Sequence, residues 1–198
     1  MSNDSAADRR YWITVGGITA VLLLACALAW GIPEWKRRRI ENNERDVFQA
    51  MRLLIFAESA FQEKDSDGNQ VMDFWTGDVA GLHRYQLIPR ELAEADAAPL
   101  TPLVPSPVPY RGYYFKALLT DGGETPPVSY RQATDKTSGN VHHRTRFGFI
   151  AYPAKAGWTG NRMYVANETR TIFPRDATVP PPTNFPTDNE MRFYYKVQ

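Results

Sequence analysis

Residues 11–32 form an apolar run of twenty-two residues without a charge, YWITVGGITAVLLLACALAWGI. At about 1.5 Å of rise per residue, a helix of this length spans the roughly 30 Å hydrocarbon core of a bilayer. Arginine and lysine residues flank the run, and Trp12, Trp30 and Trp35 stand near its ends, where interfacial rings are common. The pattern predicts a transmembrane helix over 11–32 after a polar tail over 1–10.

The hydrophobic pattern becomes periodic after Pro33. Between residues 35 and 64 the apolar residues recur at intervals of three, four and seven: Ile40, Val47, Met51, Leu54, Ile55 and Phe61. This spacing predicts an amphipathic helix over 33–64. Pro33 lacks a backbone donor, so we expect it to kink or interrupt the helix at the membrane surface. A long apolar stripe needs a partner, and a sheet built from the remaining chain is the natural candidate.

The rest of the chain is divided by prolines and by strand-forming residues. Residues 65–111 predict an acidic turn, short helical turns near 76–85 and 89–97, and an extended Pro-rich connector over 99–109. Five later runs rich in aromatic and β-branched residues predict strands of an antiparallel sheet within 112–198: residues 112–120, 146–152, 162–166, 169–173 and 191–197. We expect residues 33–198 to form one α+β domain in which most strand aromatics face the helix.

Composition narrows the classes of function. Lys plus Arg number 23 against 22 Asp plus Glu, so the balance gives no basic face for a nucleic-acid partner. The single cysteine, Cys26, excludes an internal disulfide and a thiolate pair for zinc. The sequence contains no nucleophile elbow, phosphate-binding glycine loop or helical histidine motif. These observations favour a protein that is not an enzyme.

Cys26 leaves a second mode of anchoring open. The sequence Leu23-Leu24-Ala25-Cys26 resembles a bacterial lipobox, in which the cysteine becomes the lipidated first residue of an exported protein. The apolar residues that follow Cys26 favour the other interpretation, a small residue inside a spanning helix. The alternatives are an envelope lipoprotein or ligand-binding module anchored at Cys26, and a single-pass membrane protein.

The charges beside the apolar run bear on its orientation. Four basic residues, 36–39, follow the run and two, Arg9 and Arg10, precede it, so the positive-inside rule alone places the large domain in the cytoplasm. A short tail with two arginines is also typical of an export signal, and long downstream domains can cross the membrane despite adjacent basic residues. We expect the domain on the periplasmic or outer side of the cytoplasmic membrane.

The stretch DSDGNQVMD has oxygen-bearing groups at alternate positions. They match ligand positions 1, 3, 5, 7 and 9 of an EF-hand loop: Asp65, Asp67, Asn69, the carbonyl of Val71, and Asp73. Gln70 and Thr76 occupy positions 6 and 12, where that loop requires glycine and a bidentate acid. The alternative is a turn whose Asx side chains bond the local backbone. The sequence therefore leaves a weak calcium site and a simple turn as alternatives.

The only adjacent histidines are His142 and His143, in the basic sequence HHRTR. Adjacent residues of an extended chain point to opposite faces, so the two rings cannot share one metal ion. We expect this segment to be a solvated basic loop.

Several short motifs carry a resemblance to a known class of proteins. They are Asn43-Glu44 followed by an alanine-rich helix, then DSDGNQVMD, GYYF, FGFIAYP and GWTGNRMYV, within residues 35–176. Together with a membrane helix that precedes an amphipathic helix and a sheet, they resemble bacterial pilin-like proteins, including type II secretion pseudopilins. The resemblance implies a non-catalytic structural or interaction protein of the bacterial envelope. It also implies contact with membrane lipid and other envelope proteins, and oligomers formed through the long helix.

One departure from the pilin pattern concerns processing. Pilins carry a Gly-Phe cleavage site before the apolar helix and usually a glutamate at its fifth position, and RRYWITVGGIT has neither. The resemblance therefore implies the fold and a permanent anchor rather than assembly into a filament.

Overall fold

The computed structural model describes residues 4–100, 102, 104–136, 139–177 and 180–194, with side chains from residue 32 onwards. The chain divides into two units, Met1–Arg39 and Ile40–Gln198. No helix within the described part is long and apolar enough to cross a membrane. The side chains of residues 11–31, which include Cys26 and nearly all of the predicted span, lie outside that part.

The first element is helix α1, Asp4–Lys64, which includes Pro33. Of the two outcomes expected at Pro33, an interruption is therefore wrong, and a kink stays a prediction. A proline removes one backbone hydrogen bond, and a long helix can continue past that loss.

The amphipathic pattern of the second half of α1 is confirmed by burial. The buried apolar residues of this segment are Ile40, Val47, Ala50, Met51, Leu54, Ile55, Ala57 and Phe61. The opposite face exposes Phe56 and part of Leu53. The stripe therefore packs into a core, as the period of the sequence predicts.

The main sheet is antiparallel and has four strands in the order β2–β6–β7–β8. Its strands are β2 Tyr113–Ala117, β6 Gly148–Pro153, β7 Arg162–Asn167 and β8 Ile172–Asp176. Two small antiparallel pairs accompany it, β1 Phe74–Trp75 with β5 His142–His143 and β3 Thr120–Asp121 with β4 Val128–Ser129. The α+β class with an antiparallel sheet is confirmed.

Both faces of the main sheet are covered. Phe149 and Tyr164 belong to the cluster that contains the α1 stripe. Their neighbours in sequence, Ile150 and Val165, belong to a second cluster with Phe185. Side chains alternate between faces along a strand, so consecutive residues serve the two clusters. Most of the strand aromatics predicted as core are buried, namely Tyr113, Phe115, Phe147, Phe149, Tyr164 and Tyr194.

Two hydrogen bonds attach α1 to the connection between β6 and β7. Asn43 Nδ2 donates to the carbonyl of Thr159 at 2.8 Å, and Glu44 Oε1 accepts from the backbone N–H of Asn161 at 2.8 Å. These residues come from two of the motifs that carry the pilin-like resemblance. The contacts therefore give both motifs, Asn43-Glu44 and GWTGN, the structural role of joining α1 to the sheet.

Two predictions about strands need correction. Residues 191–197 do not begin as a strand, because helix α4, Asp188–Met191, extends into this segment. A capping box formed by Thr187 and Glu190 starts this helix. Residues 195–197 lie outside the described part of the chain. Strand β8 begins at Ile172 rather than at 169, because Arg170 adopts φ 61° in the turn after β7.

The short helical turns predicted after the acidic stretch are present. Helix α2 covers Gly81–Arg84 and helix α3 covers Arg90–Ala93. The described residues of the Pro-rich connector between 99 and 109 lie outside helices and strands.

Candidate functional site

The acidic stretch forms the turn that follows α1. Asp65 and Gly68 adopt positive φ angles of 48° and 71°. Asp65 Oδ2 accepts the backbone N–H of Gln70 at 2.9 Å, and Asn69 Oδ1 accepts that of Val71 at 2.7 Å. Local backbone bonds of this kind are those expected of Asx side chains in a turn. Two of the oxygens assigned to a calcium ion in the sequence thus have backbone partners.

Two other members of the stretch meet a histidine from far along the chain. The β1–β5 pairing places Trp75 opposite His142, and Asp73 directly precedes β1. Potential ligand atoms of Asp67, Asp73 and His142 all lie within 4.8 Å of one another. His142 Nε2 lies 3.3 Å from Asp67 Oδ2, within ion-pair distance. We call these three residues the Asp–Asp–His cluster.

The cluster is buried, and several of its polar atoms lack hydrogen-bond partners. His142 and Asp73 are 2% and 1% exposed, and Asp67 is partly buried. Neither the two ring nitrogens of His142 nor Oδ1 of Asp73 makes a hydrogen bond to any residue that the structure describes. Oδ2 of Asp73 accepts the hydroxyl of Thr134. Buried polar groups are normally paired, so these atoms require an explanation.

Aromatic rings enclose the imidazole of His142. The ring of Phe61 is stacked on it at a centroid distance of 6.0 Å, and the ring of Trp75 lies edge-on at 5.3 Å. The indole N–H of Trp75 donates to the carbonyl of Asp78 at 2.8 Å. The two rings therefore hold the imidazole in place, and the indole donor is committed to another group.

A third carboxyl group, Glu58 of α1, lies beside the cluster. Glu58 is fully buried. Its Oε2 accepts the backbone N–H of Trp75, while its Oε1 has no hydrogen-bond partner in the described part of the chain. Burial raises the pKa of Glu58 well above its ordinary value, and the charge of Asp73 raises it further. Burial also raises the pKa of Asp67, against the hydrogen bond from the Asn69 N–H. The desolvated carboxyls favour a proton or a cation as partner.

Asp96 is a buried carboxylate with a structural role in the same domain. Its Oδ2 accepts the N–H groups of Val79 and Ala80, and its Oδ1 accepts that of Ala98. Burial raises the pKa of Asp96 to about 6, with a smaller contribution from the charge of Asp78. Both oxygens of Asp96 are satisfied by the backbone, in contrast to the carboxyl groups around His142.

The prediction of a solvated loop at the two histidines is wrong. His142 and His143 are both buried, because β5 pairs with β1. Nδ1 of His143 accepts the N–H groups of Thr145 and Arg146, so this ring has a local structural partner. Desolvation lowers the pKa of His143, and the charge of Arg146 lowers it further.

Sequence reasoning identified part of the cluster. Asp67 and Asp73 belong to the predicted calcium set and lie together, whereas Asp65 lies outside the Asp–Asp–His cluster. His142 and Glu58 were missed. Glu58 does have a sequence signal, because it is an acid within the apolar stripe of α1, four residues after Leu54. Calcium binding by the original set stays a prediction.

A separate cavity of about 240 Å³ lies near α2 and α3. Its lining residues are Ala80, His83, Arg90, Ala93, Glu94 and Val104. Arg90 and Glu94 form an ion pair of 2.7 Å. The lining combines small apolar side chains with charged ones.

Comparison with known proteins gives one match to a family. The family model described as "Protein of unknown function (DUF2950)" matches residues 26–183. Neither a curated protein nor a solved structure matches the chain.

Proposed function

The chain belongs to the DUF2950 family of proteins of unknown function, and we propose that it is a membrane-anchored, pilin-like structural or interaction protein of the bacterial envelope. The observation that carries the proposal is that α1 contains two segments of different character. The uncharged run 11–32 and the stripe that packs into the core both fall within Asp4–Lys64. A helix with these two segments is suited to lipid at one end and to a folded domain at the other.

The arrangement of the second unit supports the pilin-like part of the proposal. An amphipathic helix packs on an antiparallel sheet, and motif residues Asn43 and Glu44 contact the β6–β7 connection. The missing Gly-Phe cleavage site favours a permanent anchor over incorporation into a filament. We place the domain on the outer side of the cytoplasmic membrane, as in exported proteins with a short basic tail before the apolar run.

The exposed face of α1 supports an interaction role. Phe56 is 68% exposed and Leu53 is 38% exposed, three residues apart on one side of the helix. An apolar pair at this spacing is suited to another helix. We propose that the partners are other envelope proteins or a second copy of the chain.

Extraction of membranes at alkaline pH tests the anchor. The full chain is compared with the double variant Leu23→Arg/Leu24→Arg and with the matched control Leu23→Ala/Leu24→Ala. Each arginine in the middle of a span costs about 2.5–3.5 kcal/mol of insertion free energy. The natural chain and the alanine control should stay in the pellet, and the arginine variant should be released. Release of the natural chain would contradict the proposal.

The cavity near α2 and α3 favours a second candidate, an anchored ligand-binding module with Cys26 as the alternative anchor. Arg90, Glu94 and His83 supply polar contacts in this cavity. Small carboxylates and peptides would then raise the melting temperature of the domain, and Arg90→Ala would abolish the shift. A Cys26→Ser variant with reduced mass and lost membrane attachment would identify the lipid anchor.

A further inference from the structure

We propose that the Asp–Asp–His cluster binds a divalent first-row transition-metal ion, with Asp67, Asp73 and His142 as ligands and Zn²⁺ as the test ion. This site differs from the calcium loop that the acidic stretch suggests, because one ligand is an imidazole from β5. It also stands independently of how the chain is anchored.

Buried polar atoms of the cluster lack hydrogen-bond partners within the described part of the chain. His142 is 2% exposed, and neither of its ring nitrogens makes a hydrogen bond to a described residue. Its Nε2 lies at an ion-pair distance of 3.3 Å from Asp67 Oδ2, without the geometry of a hydrogen bond. Asp73 is 1% exposed, and its Oδ1 also has no hydrogen-bond partner among these residues. Leaving such groups unpaired costs about 1–3 kcal/mol each, and a shared cation removes that cost.

The spacing of the ligand atoms is close to that of a zinc site. Ligand atoms about 2 Å from a tetrahedral zinc ion lie roughly 3.4 Å apart. The 3.3 Å between His142 and Asp67 meets this requirement directly. The other separations reach at most 4.8 Å. Closing the widest of them requires a movement of roughly 1.5 Å to reach zinc-site spacing.

Neighbouring groups orient two of the three ligands. Metal-binding carboxylates usually accept a further hydrogen bond that orients them. Oδ2 of Asp73 has such a bond from the hydroxyl of Thr134, which leaves Oδ1 for the ion. The rings of Phe61 and Trp75 fix the plane of the imidazole.

The chemistry of the donor set distinguishes between ions. Ca²⁺ takes six to eight oxygen ligands, and an imidazole nitrogen is a poor substitute for one of them. Zinc, iron, copper and nickel accept imidazole readily, and zinc and iron also accept carboxylate oxygen. Two carboxylates and one imidazole in a buried cluster therefore favour a transition-metal ion over calcium.

Metal titration of the full chain in detergent tests the proposal. After removal of metals with a chelator, calorimetry with Zn²⁺ and with Ca²⁺ measures stoichiometry and affinity. We expect one Zn²⁺ per chain, a raised melting temperature on binding, and Zn²⁺ affinity far above that for Ca²⁺. X-ray absorption of the zinc complex should show nitrogen and oxygen ligands, with the nitrogen lost in His142→Asn.

Matched variants separate the cluster from its surroundings. Asp67→Asn should weaken Zn²⁺ binding by at least about tenfold. Asp65→Asn changes a neighbouring carboxylate whose Oδ2 accepts the Gln70 N–H, and it should bind Zn²⁺ like the natural chain. His83→Gln serves as the control for histidine replacement, because His83 contacts the carbonyl of Ile88 instead of the cluster.

Two results would overturn the proposal. One is Zn²⁺ affinity that survives Asp67→Asn unchanged. The other is Ca²⁺ binding tighter than Zn²⁺ binding and equally sensitive to Asp65→Asn and Asp67→Asn, which would establish the calcium loop instead. If His142→Asn fails to fold, Asp67→Asn gives the decisive comparison, because this residue lies in a partly exposed turn.

Discussion

The backbone N–H of Trp75 donates a 2.9 Å hydrogen bond to Oε2 of Glu58, a residue with no exposed surface. The bond joins α1 to strand β1, seventeen residues later in the chain. The helical period alone places the Glu58 side chain in the core. The hydrogen bond to Trp75 is a tertiary contact that this period does not predict. Its partner N–H would be buried and unpaired without it.

Removal of the Glu58 side chain tests this contact. Glu58→Ala should lower the free energy of unfolding by about 2 kcal/mol, because it leaves the Trp75 N–H unpaired and opens a cavity. Glu58→Gln keeps an acceptor and should cost under about 1 kcal/mol. Chemical denaturation followed by tryptophan fluorescence measures both. Equal losses in the two variants would show that the hydrogen bond does not stabilise the fold.

Two adjacent leucines of α1 test the amphipathic stripe. Leu54 is fully buried in the core, and Leu53 is 38% exposed on the other side of the helix. Leu54→Ala should destabilise the domain by about 2–5 kcal/mol, because it leaves a cavity in the core. Leu53→Ala should cost under about 1 kcal/mol and serves as the matched control. Similar effects at both positions would contradict the packing of α1.

Gly160 tests the close approach between the β6–β7 connection and β2. A Cβ atom at this position would meet the hydroxyl oxygen of Tyr113 at 1.8 Å, while that hydroxyl donates to the carbonyl of Arg162. Gly160→Ala should therefore cost about 1–3 kcal/mol by overpacking. Gly123→Ala is the control, since its Cβ would meet only Asp121 Oδ1 at 3.3 Å. Thermal melting of the two variants gives the comparison.

Asp96 predicts a dependence of stability on pH. Burial raises its pKa from 3.8 to about 6 in the folded state. Between these values the folded chain keeps a proton that the unfolded chain has released, so stability falls as the pH rises. The contribution should decrease by about 2 kcal/mol between pH 4 and pH 7. Above the folded pKa it should no longer change.

The matched variant for this prediction is Asp96→Asn, which cannot titrate. Unfolding free energies of both chains are measured from pH 4 to pH 7, and the difference between them isolates residue 96. The natural chain should lose its advantage over Asp96→Asn as the pH rises. A constant difference over this interval would contradict the raised pKa.

The sequence predicts those parts of the fold that have local patterns. The helix over 33–64 follows from the period of residues such as Val47, Met51 and Leu54, because one buried face is enough to specify it. The strands around residues 148–153 and 162–167 follow from dense aromatic and β-branched residues between turns. In these segments the local preference and the tertiary packing agree.

A local motif explains why the strand predicted at residues 191–197 is wrong. Residues 191–197 have strand-like composition, but Thr187 and Glu190 stand three residues apart and form the capping box of α4. A Thr-x-x-Glu spacing signals a helix start, and it outweighs the aromatic run that follows.

The cluster could be predicted only in part because its members come from separate segments. Asp67 and Asp73 lie in one acidic stretch, and their spacing suggested a metal site. His142 is seventy-five residues beyond Asp67 in a basic sequence, and it joins them only through the pairing of two-residue strands. No period or motif encodes such a contact. Burial of His142 depends on Phe61 and Trp75, which are also distant in sequence.

Protease accessibility in intact spheroplasts tests the proposed anchoring and orientation most directly. The full chain carries a C-terminal tag, and a cytoplasmic protein in the same cells reports membrane integrity. The proposal predicts that external protease removes the tag while the cytoplasmic marker stays intact. A tag that is protected until the cells are lysed would place the domain in the cytoplasm, as the count of basic residues beside the apolar run suggests, and would contradict the envelope function.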